Sequence, residues 1–465
     1  KKMSQGQDRK ESVIVVGAGL SGLAAATALG NAGWSNVKIL EARPRLGGRT
    51  HTEDVGGTGA MVDVGAAWLH GDKKNPVAEL CKKYDVAYVD HSMMKKGPHM
   101  LVDLPSDGKN DRVVWTEEEK AAYLGMLFEL VPTMKPGVSA KDTFEKFLDE
   151  KGVKDSTKRI RSLFAMEGPI GGTAGPMDDL NVYYPVNLET GRLCGGYDQL
   201  PVGGFSALVK KMSKGLNVET KKVVTKIESV KEKRVQVTCA DGSTETADYV
   251  IVTVPLGVLK KEKIAFTPAL PKAKTDAISK LAMGYYEKVI MVWDKAWWKD
   301  SYKDGVLLVN KNVNGMRVFP DFVDITDKLG QPAVVCLYNG GFARHAQDTM
   351  TDEQMVEMCR EMLARACGKK LKDIPKCKGS LCTRWRSDPY AYGSYSYITV
   401  KGTPQDMHEI AAPAYDGHLL FAGEHTIPEH NASVHGPVIS GLREAMRIDG
   451  NAKIDGVTPG VIPKE

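Results

Sequence analysis

The sequence predicts an α/β fold. A doubly wound parallel-sheet domain is assembled from separated pieces of chain and interleaved with a second, α+β domain. Three observations predict this. A buried strand near residue 12 runs into a glycine triplet and then an alanine-rich helix. Apolar, β-branched runs of parallel-strand type return near residues 249 and 419. The stretches between them carry mixed helix and strand signals, which fits two interleaved domains better than two consecutive ones.

The elements follow in order. Ser12-Val-Ile-Val-Val16 is short, apolar and β-branched, and reads as a fully buried strand. Leu23 to Leu29 is helical and closes at the Gly30 and Gly33 turns, and Val37-Lys-Ile-Leu40 is a second strand ended by Glu41. The 26 residues from Ser12 to Val37 carry no charge, long enough for a membrane span, but Gly17, Gly19, Gly22, Gly30 and Gly33 break them into strand, turn and helix. Residues 75 to 192 read as helices and loops, with helices over Thr116–Leu130 and Ala140–Lys151. Tyr197 to Met212 reads as strand, turn and helix, and Leu216 to Val237 alternates like paired strands. Tyr249 to Val254 is a buried strand stopped by Pro255. Strands Lys288–Val292 and Ala333–Tyr338 and helix Asp352–Ala366 follow. Strand Leu419–Ala422 then leads through a loop to an amphipathic helix, Val434–Ile448. The nucleotide-binding domain is expected over residues 10–90, 193–262 and 414–450, and the second domain over 91–192 and 263–413.

Composition narrows the function. The 465 residues are 42% hydrophobic and 26% charged, which excludes a disordered or fibrous chain. Basic residues number 63 against 58 acids and form no long run, so no nucleic-acid partner is expected. The eight cysteines contain no C-x-x-C pair and read as free thiols, although their even number leaves disulfides open. His418, His425, His430 and His435 are spaced by seven, five and five residues, too widely for a metal site, and no metal is expected. The polar opening KKMSQGQDRKES shows no signal peptide, and the polar ending VTPGVIPKE shows no membrane anchor. A soluble protein is expected. The cytoplasm is favoured, with secretion or an organelle open if a leader was removed.

Gly17-Ala-Gly19-Leu-Ser-Gly22 carries the chemistry of the first unit. The first glycine permits the tight turn, the second lets backbone N–H groups approach a pyrophosphate, and the third lets helix and strand pack closely. The helix N-terminus adds partial positive charge. Glu41, nineteen residues after Gly22, is placed to accept hydrogen bonds from a ribose. At this point NAD and FAD fit equally.

The next motif separates them. Glu41-Ala-Arg43-Pro-Arg45-Leu-Gly-Gly48-Arg49 resembles the flavin-dependent amine oxidase family, and the resemblance continues along nearly the whole chain. It runs through Asp63-Val-Gly-Ala66-Ala-Trp68-Leu-His70-Gly71, Tyr249 to Leu259, Arg384-Trp385-Arg-Ser-Asp-Pro389 with Tyr392 to Tyr397, and Leu420-Phe-Ala-Gly-Glu424-His-Thr426 with Ser433-Val434-His-Gly436 and Ser440 to Ala445. The resemblance implies the amine oxidase form of the glutathione-reductase-like FAD fold. FAD would be noncovalent, since Ser394 stands where a covalently linked relative has cysteine. Arg45 and Arg49 could neutralise pyrophosphate charge, and the resemblance implies Arg43, Arg49 and Gly48 at the cofactor. Ala66, Trp68 and Trp385 would lie against the flavin, Val224 at the adenine, and Glu424 at the ribityl or phosphate region. Ser433 and Val434 would open a helix aimed at the flavin's pyrimidine end. Lys288 would hold a water at flavin N5 and promote reaction with oxygen. Tyr395 would be one wall of an aromatic cage left open by the small Ser433. His70 would bind an amine of a threaded polyamine, with Glu167 a candidate for a distal ammonium. The sequon Asn431-Ala-Ser433 would then be buried beside the flavin.

The implied function is a polyamine oxidase. Hydride passes to N5 from the carbon beside a secondary amine of spermine, spermidine or their acetylated forms. The imine hydrolyses, and O2 restores the flavin and becomes H2O2. The alternative is the same chemistry on a monoamine, an L-amino acid or a methyl-lysine peptide. Membrane monoamine oxidases carry an apolar C-terminal anchor, and amino-acid oxidases need an arginine for the carboxylate. Histone lysine demethylases add an N-terminal helical domain and a coiled-coil insertion. No anchor, helical domain or coiled coil is read here, and the segment after Gly65 offers Trp68 and His70 in place of an arginine, with an arginine farther along the chain left open.

Overall fold

A computed structural model describes residues 10–90, 100–104, 112–171, 173–183, 194–301, 306–313, 316–318 and 320–457. Its first layer is a five-stranded, wholly parallel sheet. The strands run in the order Leu419–Phe421, Tyr249–Val252, Val13–Val16, Val37–Leu40 and Asn217–Glu219. Alternation along the central strand divides the core between the two faces. Val13 and Val15 join a cluster under the helices, while Ile14 and Val16 join a cluster on the opposite side. Helices Leu20–Asn31 and His435–Ile448 cover the first face. They cross closely because position 441 is glycine; a Cβ there would stand 2.2 Å from the carbonyl oxygen of Ser21. The second face is covered by a four-stranded sheet of Thr244–Ala247, Arg234–Cys239, Val224–Val230 and Ala265–Thr267.

The second domain is built on an eight-stranded mixed sheet. Its order is Gly379–Cys382, Tyr286–Val292, Ala333–Asn339, Asp321–Asp324, Val306–Val313, Met100–Leu104 and Val113–Val114, with Met316–Val318 beside Val306–Val313. One face packs on helix Asp352–Ala366 through Val289, Met291, Cys336 and Phe322. The other, through Ile290, Val323 and Leu337, meets Val55–Val64 and Trp385. Helices Glu117–Leu130, Ala140–Glu150 and Ser156–Gly171 form a satellite around Phe144, Phe147 and Leu148.

The region read as helices and loops also carries three short strands, Tyr88–Asp90, Met100–Leu104 and Val113–Val114. Met100–Leu104 is parallel to Val306–Val313. That partner lies some two hundred residues away, and on its other side the strand pairs antiparallel with Val113–Val114. All eight cysteines are free thiols. Among the described residues, no helix is long and apolar enough to cross a membrane.

Candidate active site

A cavity of about 680 Å³ runs from the first glycine turn, past the aromatic segment around Trp385, to His70. At one end the strand Val13–Val16 delivers the chain into Gly17, whose φ of +110° favours glycine. A Cβ on Gly17 would stand 2.6 Å from Thr253 Oγ1, and one on Gly22 only 2.0 Å from the Gly17 carbonyl oxygen. A Cβ on Gly19 would meet nothing within 4 Å. Gly17 and Gly22 therefore hold the turn tight, and the space over Gly19 opens into the cavity. Gly48 closes the same cradle, with a built Cβ 3.6 Å from Gly19 Cα. Glu41 is buried there, and its carboxylate accepts hydrogen bonds from the backbone N–H of Ala18 (2.7 Å) and Arg43 (2.8 Å). This donor-rich, close-approach cradle suits the pyrophosphate and ribose of a dinucleotide.

The three arginines of the motif diverge. Arg49 lines the cavity and donates to Glu424 Oε1 at 2.9 Å and to the Ser394 carbonyl at 3.0 Å. Arg45 turns its guanidinium onto the Gly48 carbonyl and is absent from the lining, and burial pulls it down to about 10. Arg43 lines the cavity but is held in a two-pronged ion pair with Asp388, at 2.6 and 2.9 Å. Its guanidinium also lies 5.2 Å from the Tyr390 ring centroid.

Glu424 lies three residues past the strand Leu419–Phe421, opening a short 3-10 turn beyond the carboxyl edge of the parallel sheet. Burial alone would raise its pKa, but Arg49, His425 and the Ser396 hydroxyl at 2.6 Å outweigh it and hold the group below the usual range. Ser433 accepts from the Gly436 N–H at 3.3 Å, and Val434 caps helix His435–Ile448; both line the cavity. Val224 lines the far end, on the strand that opens the second sheet.

Lys288 is the third residue of its strand, not its opening residue, and it is buried. Its Nζ donates to the carbonyls of Asp63 (2.7 Å) and Gly65 (2.6 Å) and lies 5.5 Å from the Trp68 ring centroid. Burial pulls the ammonium down to about 8, and the nearby Asp63 carboxylate opposes the fall. Asp63 itself is pushed up to about 6 by burial, against hydrogen bonds from Thr52 and Phe205 and the charge of Lys288. Trp385 Nε1 donates to the Val64 carbonyl at 3.2 Å, fixing the indole beside Ala66 and Trp68. The Trp68 Nε1 is buried with no partner among the described residues. Tyr395 faces Tyr286 with ring centroids 6.0 Å apart, and burial raises its phenol well above the ordinary value. Ser394 does not enter the cage freely; its hydroxyl bonds the backbone N and O of Tyr286, each at 2.8 Å.

His70 stands at the open end, exposed, with Nδ1 3.0 Å from Asp198. Glu167 belongs to helix Ser156–Gly171, but its side chain lies outside the described residues. The histidines of the C-terminal segment do separate work. His418 stacks on Tyr249 and contacts the Asp248 carbonyl, His425 is buried and pulled down to about 4 by burial, and His430 meets His435 edge to face at 4.7 Å.

Sequence reasoning missed Tyr286, Tyr397 and Leu337, which also line the cavity. Tyr286 was within reach, because it stands two residues before Lys288 and shares its face of the strand. Tyr397 stands two residues after Tyr395, in the strand Ser396–Ile398. Asp388 and Asp198, the ion partners of Arg43 and His70, carried no signal of their own.

Comparison with known proteins places this geometry. The family model described as flavin containing amine oxidoreductase matches residues 20–449. "Polyamine oxidase 5" of Oryza sativa subsp. japonica is 32% identical over 93% of this chain and 86% of its own length. "Lysine-specific histone demethylase 1 homolog 2" of Arabidopsis thaliana is also 32% identical, over 94% of this chain, and the chain spans 58% of that protein. A solved putrescine oxidase bound to putrescine superposes with a TM-score of 0.76 at 21% identity, over 95% of this chain and 99% of its own. That likeness speaks for the fold. The cofactor is FAD, and the chain belongs to the flavin containing amine oxidoreductases.

Proposed function

We propose that the protein is an FAD-dependent polyamine oxidase acting on spermine, spermidine or their acetylated forms, with O2 as acceptor. The observation that carries this is the buried Lys288 at the floor of an aromatic cavity whose open end holds the His70–Asp198 pair. When bound, FAD supplies the hydride acceptor and the route for electrons to oxygen. The protein's residues do the rest. The cradle at Gly17, Gly19, Gly22, Gly48 and Glu41, together with Arg43 and Arg49, holds the phosphates and ribose. Val224 meets the adenine, Glu424 the ribityl chain, and Ser433 and Val434 the pyrimidine end.

Trp385, Ala66 and Trp68 would pack against the flavin. Tyr395, with Tyr286 beside it, guides the amine and excludes water. Such a wall disfavours an ammonium ion, so the reacting amine loses its proton there. Lys288 holds a water beside the reacting carbon and supplies positive charge where oxygen is reduced. His70, paired with Asp198, receives a distal amine, and Glu167 is a second candidate. Ser394 bonded to Tyr286 leaves no thiol before Tyr395, so FAD is held without a covalent link. A methyl-lysine peptide is the second reading, favoured by the equal identity to the demethylase homologue.

Anaerobic mixing with spermine, spermidine, their N-acetyl forms, monoamines, lysine and a methyl-lysine peptide tests the proposal. The readout is loss of the visible flavin band. Rapid bleaching by polyamines supports it. Bleaching by the peptide alone moves the reading to demethylation, and bleaching by monoamines or lysine alone overturns it.

A further inference from the structure

Cys336 and Cys359 belong to separate elements, the strand Ala333–Asn339 and the helix Asp352–Ala366. Both residues are buried, and their sulfurs stand 3.4 Å apart. A disulfide holds its sulfurs at about 2.0 Å, so an approach of about 1.4 Å would close the bond. The pair sits among other thiols. Cys336 and Cys382 both stand opposite Val289, on the strands to either side of it. All three side chains therefore share the sheet face that the helix covers. Cys377 and Cys382 pack against the same cluster and are half-buried. The geometry still singles out one pair, because the Cys382 sulfur is turned to the Asp352 carbonyl at 3.7 Å. Among the described residues, no three ligating side chains are grouped to hold a metal, so the pair is not part of a metal site. Leu337, the next residue after Cys336, projects from the other face of the sheet and lines the cavity. The two sulfurs thus lie just behind a wall of the site into which the proposed reaction releases hydrogen peroxide.

We propose that Cys336 and Cys359 are a redox pair, closed to a disulfide by hydrogen peroxide, which locks the helix Asp352–Ala366 onto the strand behind the cavity wall. One thiolate attacks a peroxide oxygen and becomes a sulfenic acid as hydroxide leaves. The second thiolate attacks that sulfur, the S–S bond forms, and a second hydroxide leaves. The two thiol protons turn both hydroxides into water. The two thiols lose two electrons, and one peroxide gains them. Burial and the neighbouring Cys359 push the Cys336 thiol up, so closure is slow near neutral pH and quickens as pH rises. The bond closes a loop that contains the helix Gly340–Thr349, which takes freedom from the unfolded chain and stabilises the folded one. Only the source of the peroxide rests on the function proposed above.

The test treats the reduced holoenzyme with hydrogen peroxide at several pH values, then removes the oxidant with catalase. The protein is unfolded, its remaining thiols are alkylated, and trypsin digestion is followed by mass spectrometry. The two cysteines fall in separate tryptic peptides, residues 329–344 and 345–360. Closure joins these peptides with the loss of two hydrogens, faster at higher pH, and dithiothreitol separates them again. The oxidised wild type melts a few degrees above the reduced protein. Cys359→Ala, treated alike, shows neither the joined peptides nor the rise, which sets aside peroxide damage at methionine. Peptides that stay unjoined overturn the inference. So does a link from either cysteine to Cys377 or Cys382, or oxidation of either sulfur to a sulfinic acid without a link. Joined peptides with no rise in melting temperature overturn the lock. If Cys359→Ala does not fold, peptide mapping and dithiothreitol reversal on the wild type decide. A flavin that no amine reduces overturns the proposed function and leaves the pair standing, because the peroxide here is added.

Discussion

Gly22 and Gly19 of the first turn should fail in different ways when a methyl group is added. Gly22→Ala drives Cβ into a backbone carbonyl 2.0 Å away and forces helix from strand, so the apoprotein itself should lose stability. Gly19→Ala meets no protein atom within 4 Å. Its apoprotein should melt within about 0.5 kcal/mol of the wild type, as surface substitutions do. Its flavin content should nevertheless fall sharply, because the methyl takes the space reserved for phosphate. Flavin-to-protein ratio and apoprotein melting, measured on both variants, check this.

A second prediction concerns Glu287. It is fully buried and accepts from Thr383, Trp385 and Gln347, so it ties the Lys288 strand to the Trp385 segment. Burial pushes it up to about 7 from a reference of 4.5. Between those values the folded state binds more protons than the unfolded state, so stability falls as pH rises. The group's share is about 3 kcal/mol over the window. Glu287→Gln should remove that share, since its amide can donate to the Gln347 oxygen, which is buried without a partner among the described residues. Melting temperatures from pH 4.5 to 7.5 should show a shallower fall for the variant.

Among the elements, helix His435–Ile448 does the most positioning. Arg443 donates to the carbonyls of Phe421 and Thr426 and to the Thr426 hydroxyl, pinning the turn that presents Glu424. Glu444, with no exposed surface, bonds both Arg443 and Arg447. Glu444→Ala leaves two cations without their counter-ion and should cost about 3–5 kcal/mol. Denaturant unfolding measures it, and flavin release should accompany the loss.

Much of this helix was readable. Its apolar period marked Val434–Ile448, and only the first residue shifts, because Val434 caps the helix and lies outside it. The strand Val13–Val16 and its glycine turn were equally plain, since buried strand, turn and helix follow within a few residues. Met100–Leu104 was not readable, because its longer pairing comes from residues 306–313 and its local partner, Val113–Val114, is only two residues long. Nor was the burial of Glu287, whose partners lie sixty to a hundred residues away. Lys288 shows the boundary. Its strand was evident, but its contact with the carbonyls of Asp63 and Gly65 needed the packing of two domains.

At the scale of the molecule, the cavity takes its walls from segments spread between Val16 and Pro437. A ligand seated there binds only the assembled state, so FAD should stabilise by mass action. The gain is about 2.7 kcal/mol at a free concentration a hundred times its dissociation constant. Calorimetry of the apoprotein titrated with FAD should show a melting temperature that climbs with cofactor, and a flat response would refute it. The parallel sheet that carries the cradle also imposes an order on synthesis. Its edge strand, Leu419–Phe421, pairs with Tyr249–Val252, and the helix beyond it covers Leu20–Asn31. A ribosome that has threaded out four hundred residues of this sequence has therefore delivered the glycine cradle but not the parts that close over it. The nascent chain must stay without cofactor, its apolar sheet edge open to chaperones or to other nascent chains, until residues 419–448 have emerged.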